Sequence, residues 1–259
     1  MNAMQWLDLS ERSDNIIACG DVHGEFEALA EKIAEYGISD ATVVVAGDCG
    51  FGFEPWRFYD RLYRERLHAC LEQANVLLLM VRGNHDDPRY FDGEMIDYPC
   101  MKTLPDYTVV HTCSHNILCI GGAVSVDRNF RLSMMDMHRM QGKRCLPLYW
   151  RDEAFLYDER ELVILTDEDV RIDTVVTHSA PSFCPPAAKR DLEHFCAGDE
   201  WLADDIRHER RDLERLYRWL TVHGHPLHTW YYGHYHASAT TIHDGIIFHL
   251  LDVMEMKGI

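Results

Sequence analysis

Asn15-Ile16-Ile17-Ala18-Cys19-Gly20-Asp21-Val22-His23-Gly24 decides the fold of this chain: an apolar run of strand length that stops at a glycine and opens into a polar turn. The arrangement recurs twice downstream. Residues 42–46 are β-branched and end at Gly47-Asp48-Cys49-Gly50, and residues 76–81 are apolar and end at Gly83-Asn84-His85-Asp86. Between the first two runs, Phe26, Leu29, Ala30 and Ile33 fall at helical spacing until Gly37 supplies a stop. Between the second and third, Trp56, Tyr59, Leu62, Tyr63, Leu67, Cys70 and Leu71 mark one amphipathic helix. The order predicts a βαβαβ unit whose polar residues stand at the carboxyl ends of the strands, the edge where open α/β sheets receive ligands.

The periodicity changes after Pro105. Residues 108–112 and 116–120 are short strands with no room for a crossover helix between them, so antiparallel pairing is expected. Residues 173–177, 229–232, 239–243 and 246–251 extend this second set, the last two joined by an Asp244-Gly245 turn. The fold class expected is α/β, a four-layer α/β/β/α sandwich of two mixed β-sheets flanked by helices. Residues 1–259 are read as one domain with insertions at about 128–157 and 182–224, the second carrying leucines at helical spacing and a Glu214–Arg218 pair.

The composition is that of a water-soluble globular chain, 47% hydrophobic and 26% charged, yet its formal net charge is −18. Non-specific nucleic-acid binding is driven by Lys and Arg displacing counterions, so a long nucleic acid is an unfavoured partner. No membrane span and no secretory leader are read, and the nine cysteines never form a C-x-x-C pair. A reducing cytoplasm is the expected location.

Two further turns complete the set: Thr177-His178-Ser179-Ala180-Pro181 and Gly233-His234-Tyr235-His236. Asp, Asn and His side chains are ligands for borderline divalent metals, and one tetrahedral ion needs about four of them. Seven candidates, Asp21, His23, Asp48, Asn84, His178, His234 and His236, are too many for one ion and suit two that share a carboxylate.

In these five motifs, taken in order, the sequence resembles the calcineurin-like metallophosphoesterase superfamily. The resemblance implies that Asp21, His23 and His236 hold one metal, that Asn84, His178 and His234 hold the other, and that Asp48 bridges them. It assigns His85 as the acid or phosphate-contacting residue with Asp86 orienting it, and two divalent ions (manganese, iron or zinc) as cofactor. The implied reaction is attack of a metal-bridging hydroxide on a phosphate mono- or diester of small or mid-sized compounds. Members that act as Ser/Thr protein phosphatases extend the second motif to Gly-Asp-x-Val-Asp-Arg-Gly; here it reads Gly47-Asp48-Cys49-Gly50-Phe51-Gly52, without the phosphate-binding arginine. A protein phosphatase, a DNA-end nuclease and an inactive scaffold for a partner protein remain the alternative readings.

Arg128 and Arg131, after the Gly-marked stretch 121–127, are candidates to clamp phosphate in place of that arginine, against surface ion pairs to Asp127 or Asp136. Tyr149 and Trp150 are expected to pack in the core rather than to stack on a base. His223, His225 and His228 are read as loop residues, and His111 and His115 as flanking a hairpin.

Overall fold

The computed structural model describes residues 4–142, 147–186 and 195–259, so part of each expected insertion (143–146 and 187–194) lies outside the described residues. One sheet contains β2 (Asn15–Cys19), β3 (Ala41–Val45), β4 (Val76–Met80), β5 (Asp97–Tyr98), β6 (Met101–Thr103) and β13 (Met256–Gly258) in the order β13-β2-β3-β4-β6-β5. Its four central strands are parallel and its two edge strands antiparallel. The other sheet contains β1 (Gln5–Asp8), β7 (Thr108–His111), β8 (Asn116–Ile120), β9 (Thr174–Thr177), β10 (Thr229–Tyr232), β11 (Ala239–His243) and β12 (Ile246–Leu250) in the order β1-β7-β8-β9-β10-β12-β11. Here β8, β9, β10 and β12 run parallel, while β7–β8 and β12–β11 are antiparallel hairpins.

The residues of β3 and β4 are all buried because both faces of that sheet are covered. Alternate side chains sort into two cores. Val43, Val45, Leu78 and Met80 face outward with α1 (Phe26–Glu35) and with α2 (Trp56–Leu62) and α3 (His68–Ala74), contributing Phe26, Leu29, Tyr59 and Leu71. Val44, Ala46, Leu77, Leu79 and Val81 face inward and meet Val110, Ile117, Cys119, Val176 and Tyr231 of the second sheet. The outer face of that second sheet, including Val109, Leu118, Val175 and Trp230, packs under α5 (Glu159–Asp167) and α6 (Leu202–Val222), which add Leu162, Leu165, Leu213, Leu216 and Leu220. Three apolar interiors between four layers make the fold the expected α/β/β/α sandwich.

Three local differences from the sequence reading have physical causes. The expected single helix over 56–71 is α2 and α3 joined by a π-turn at Tyr63–Leu67, a bulge that lets Tyr59, Tyr63, Leu67 and Leu71 all reach the same core. α6, expected within an insertion, is a structural layer: its buried stripe belongs to the core, and Glu214 and Arg218 pair on its outer side. α4 (Arg128–Met140) has no expected counterpart, since its many Met and Arg residues bury little, Arg131 alone being buried.

Candidate metal centre

The five motif turns follow β2, β3, β4, β9 and β10, so their side chains gather where the carboxyl ends of both sheets come together. The turns are tight. His23, Asp48, His234 and His236 take φ values of 52°, 48°, 71° and 47°. Such left-handed geometry costs a residue with a β-carbon roughly 1–2 kcal/mol and concentrates at functional sites. Two glycines are required by close approach: a β-carbon on Gly83 would overlap the backbone nitrogen and carboxylate of Asp48, and one on Gly233 would overlap the carboxylate of Asp21.

Two ligand clusters result, and they share one residue. Asp21, His23, Asp48 and His236 each present an atom within 4.8 Å of the others, and so do Asp48, His178 and His234. In the first cluster His236 Nε2 lies 3.1 Å from Asp21 Oδ2 and His23 Nε2 lies 3.7 Å from it. In the second, His178 Nε2 is 3.1 Å from both Asp48 Oδ1 and Asn84 Oδ1. The sequence-predicted ligands are therefore all in one place, with Asp48 between the groups.

The donor set fits cations on chemical grounds. The carbonyl of Ala46 accepts from His178 Nδ1 at 2.8 Å, which fixes the tautomer and leaves Nε2 as a lone-pair donor toward the cluster. Asn84 donates its amide Nδ2 to Ser125 Oγ at 2.9 Å, which turns Oδ1 toward His178. Burial disfavours a charged His178, but Asp48 and Asp21 outweigh it and lift the imidazole to about 9. Burial likewise opposes ionisation of Asp48, and the neighbouring histidines, His178 foremost, win and hold it well below the usual carboxylate range. A cation on Nε2 would take the place of a proton held there, as metal sites do.

His85 stands at the open side of this cluster, its Nε2 3.9 Å from Asp48 Oδ2 and its backbone N–H donating to Asp48 Oδ1 at 2.8 Å. Arg131 reaches the same imidazole through its guanidinium and is itself anchored by Asp127, 2.9 Å from Nε. Burial and the Arg131 charge, only partly offset by Asp48, push His85 down to about 4. Arg131 thus stands beside His85 and also makes the ion pair to Asp127 weighed against a phosphate role in the sequence.

Arg128 and Asp86 are placed otherwise than expected. Arg128 turns away to Asp205 at 2.6 Å and Asp199 at 3.0 Å, because the first residue of α4 faces the start of α6 rather than the strand ends. A guanidinium so occupied is not a phosphate clamp. Asp86 does not orient His85: its carboxylate accepts from the backbone amides of Gly50, Gly83, Phe51 and Cys49 at 2.7–3.0 Å. It ties the second motif turn to the third and so fixes Asp48 relative to Asn84. Burial and the Asp48 charge push it up to about 6 despite those donors.

Sequence reasoning missed Ser125, Glu153 and Phe53. Ser125 is fully buried, donates its hydroxyl hydrogen bond to Glu153 Oε2 at 2.7 Å and its backbone N–H to Oε1 at 2.7 Å. Phe53 lies between His85 and Trp150, with ring centroids 6.2 and 5.6 Å away. Ser125 sits in the glycine-marked stretch that drew attention to Arg128 and Arg131; Glu153 and Phe53 have no local pattern that distinguishes them.

Among solved structures, the chain is similar to a dimetal phosphatase from Danio rerio at 14% identity, covering 93% of this chain and 88% of that one with a TM-score of 0.46. It is similar to phosphopantetheinyl hydrolase from Mycobacterium tuberculosis at 16% identity, covering 92% and 89% with a TM-score of 0.38. It is also similar to GAP50, the anchor in the inner membrane complex of Plasmodium, at 14% identity, covering 92% and 71% with a TM-score of 0.43. A comparison with curated proteins finds no match. The family model for calcineurin-like phosphoesterases matches residues 15–238, a span from β2 to just beyond His236 that contains all five motif turns, and the chain belongs to that family.

Proposed function

We propose that this protein is a metal-dependent phosphoesterase in which Asp21, His23 and His236 hold one divalent cation, Asn84, His178 and His234 hold a second, and Asp48 contacts both. The observation that supports this most is the sharing of Asp48 by two clusters whose other members come from the turns after β2, β9 and β10. When bound, two such cations (manganese, iron or zinc) supply charge neutralisation at a phosphoryl group and lower the pKa of water toward neutrality. The protein's own groups do the rest. Arg131 and His85 form a cationic and hydrogen-bonding wall on which phosphoryl oxygens rest, and an anion placed there favours the imidazolium, reversing the depression of His85. The proton then on His85 is available to the departing alkoxide. Phe53 closes one side against Trp150 and keeps water from that wall.

The substrate is a small or mid-sized phosphate ester, mono- or diester. A net charge of −18 disfavours a long nucleic acid. Among the described residues no helix is long and apolar enough to cross a membrane, and the cysteines are free thiols, which suits work in a reducing cytoplasm. The test is hydrolysis of p-nitrophenyl phosphate and its bis-ester with manganese added, by wild type and Asp48→Asn. Asp48→Asn is expected to lose activity by at least about a thousandfold, roughly 4 kcal/mol; comparable turnover in folded, metal-replete variant would refute the assignment.

A further inference from the structure

At the opposite end of the second sheet lies another group of nitrogen and oxygen donors. His115, Asp173 and His228 immediately precede β8, β9 and β10, three adjacent strands, and each offers a ligand atom within 4.8 Å of the other two. β9 therefore carries Asp173 at its start and His178 at its end, and β10 carries His228 and His234 in the same way. Asp173 and His178 flank the four residues of β9 and so stand five steps apart along the chain, roughly 16 Å at the usual rise. The group is thus a separate place from the centre described above.

We propose that His115, Asp173 and His228 form a second, independent binding site for a divalent cation of the zinc class, staple-like in function and remote from the phosphoesterase centre. His115 Nδ1 lies 3.0 Å and His228 Nε2 3.8 Å from the same oxygen, Asp173 Oδ1. Ligands around a tetrahedral zinc, at about 2.0–2.1 Å from the metal, stand roughly 3.3 Å apart, so the two pairs bracket that spacing. The larger gap closes by rotation of His228, which is exposed and has room to move.

The supporting contacts point the donors inward. Asp173 Oδ2 accepts from the backbone N–H of Asn116 at 2.6 Å, and the Thr174 hydroxyl donates to Oδ1 at 2.7 Å, so the carboxylate is anchored with Oδ1 between the histidines. His228 Nδ1 lies 3.1 Å from Thr229 Oγ1; donation there leaves the Nε2 lone pair aimed at the cluster. Ligand histidines in metal sites are oriented by such outer contacts. Two histidines with one carboxylate, open to solvent on one side, leave the fourth tetrahedral position to water. Bound metal would tie together the β7–β8 turn, the approach to β9 and the loop after α6.

The experiment uses tag-free full-length protein, stripped by chelator and dialysed against zinc, with bound metal measured by mass spectrometry. Wild type is expected to retain one more zinc per chain than His228→Ala and than His115→Gln, while manganese-dependent turnover of both variants stays within about twofold of wild type. Asp48→Asn is expected to keep this zinc while losing metal at the phosphoesterase centre, which separates failure of one site from failure of the other. Equal zinc content in wild type, His228→Ala and His115→Gln overturns the proposal, as does loss of this equivalent in Asp48→Asn alone.

Discussion

Removing the hydroxyl of Ser125 separates the metal centre from its support more cleanly than removing a ligand does. In Ser125→Ala, Asn84 Nδ2 loses its acceptor at 2.9 Å and Glu153 Oε2 loses its donor at 2.7 Å. Both partners are buried, so no bulk water replaces the lost group. An unsatisfied buried donor or acceptor costs about 1–3 kcal/mol, and two of them bring the expected loss of stability to roughly 3 kcal/mol. The amide of Asn84 is then free to turn, and loss of an outer support of a ligand lowers metal affinity by about 10–100-fold. Manganese titration of turnover, paired with urea unfolding in chelator, reads the two effects separately. Glu153→Gln is the control, since its amide oxygen still accepts from the Ser125 N–H and its NH2 can donate to Ser125 Oγ, keeping that hydroxyl in place beside Asn84, and it should weaken metal by less than Ser125→Ala does. Wild-type manganese dependence in a folded Ser125→Ala protein would refute the reasoning that this hydroxyl positions Asn84.

Three further predictions follow from the same geometry. His85→Ala should leave metal content intact and depress turnover more for esters with poor leaving groups than for p-nitrophenyl esters; an equal loss across leaving groups would exclude proton donation by His85. Arg131→Lys keeps the charge but not the planar fork, and should raise KM by about tenfold or more, with kcat less affected, because a lysine cannot hold Asp127 and a phosphoryl oxygen together; a change confined to kcat would contradict a binding role. Burial raises Glu153 from 4.5 to about 8 and Glu209 to about 7, so both are protonated more readily in the folded state than in the unfolded chain. Their contribution to stability is therefore fully present below about pH 4.5 and is lost as pH rises through 7–8, for Glu153 on the order of 5 kcal/mol; urea midpoints from pH 5 to 8.5 should fall less steeply in Glu153→Gln, and identical slopes would contradict the burial argument.

The layers and the side chains that gather at the strand ends were legible because they depend on local patterns. Runs such as residues 76–81 are apolar throughout because two cores cover them, and each ends at a glycine because the next residue must turn sharply or pass close to another ligand. β5, β6 and β13 escaped notice since a strand of two or three residues at or near a sheet edge needs no alternation to be held. What spacing could not convey is which donor meets which acceptor across the chain. Asp86 follows His85 in sequence, yet its oxygens are claimed by the Cys49–Phe51 backbone, 35 to 37 residues earlier. Arg128 and Arg131 lie one helical turn apart, and that small rotation sends one to Asp199 and the other to His85. His228 reads as a loop residue because the strand after it is only four residues long, and its neighbours His115 and Asp173 become visible only once β8, β9 and β10 are side by side.

Anomalous diffraction from manganese-loaded crystals tests the central claim most directly. The account predicts two peaks about 3.5–4 Å apart, one against Asp21, His23 and His236, the other against Asn84, His178 and His234, with the carboxylate of Asp48 reaching both. A single peak there, or none within coordinating distance of Asp48, would contradict it.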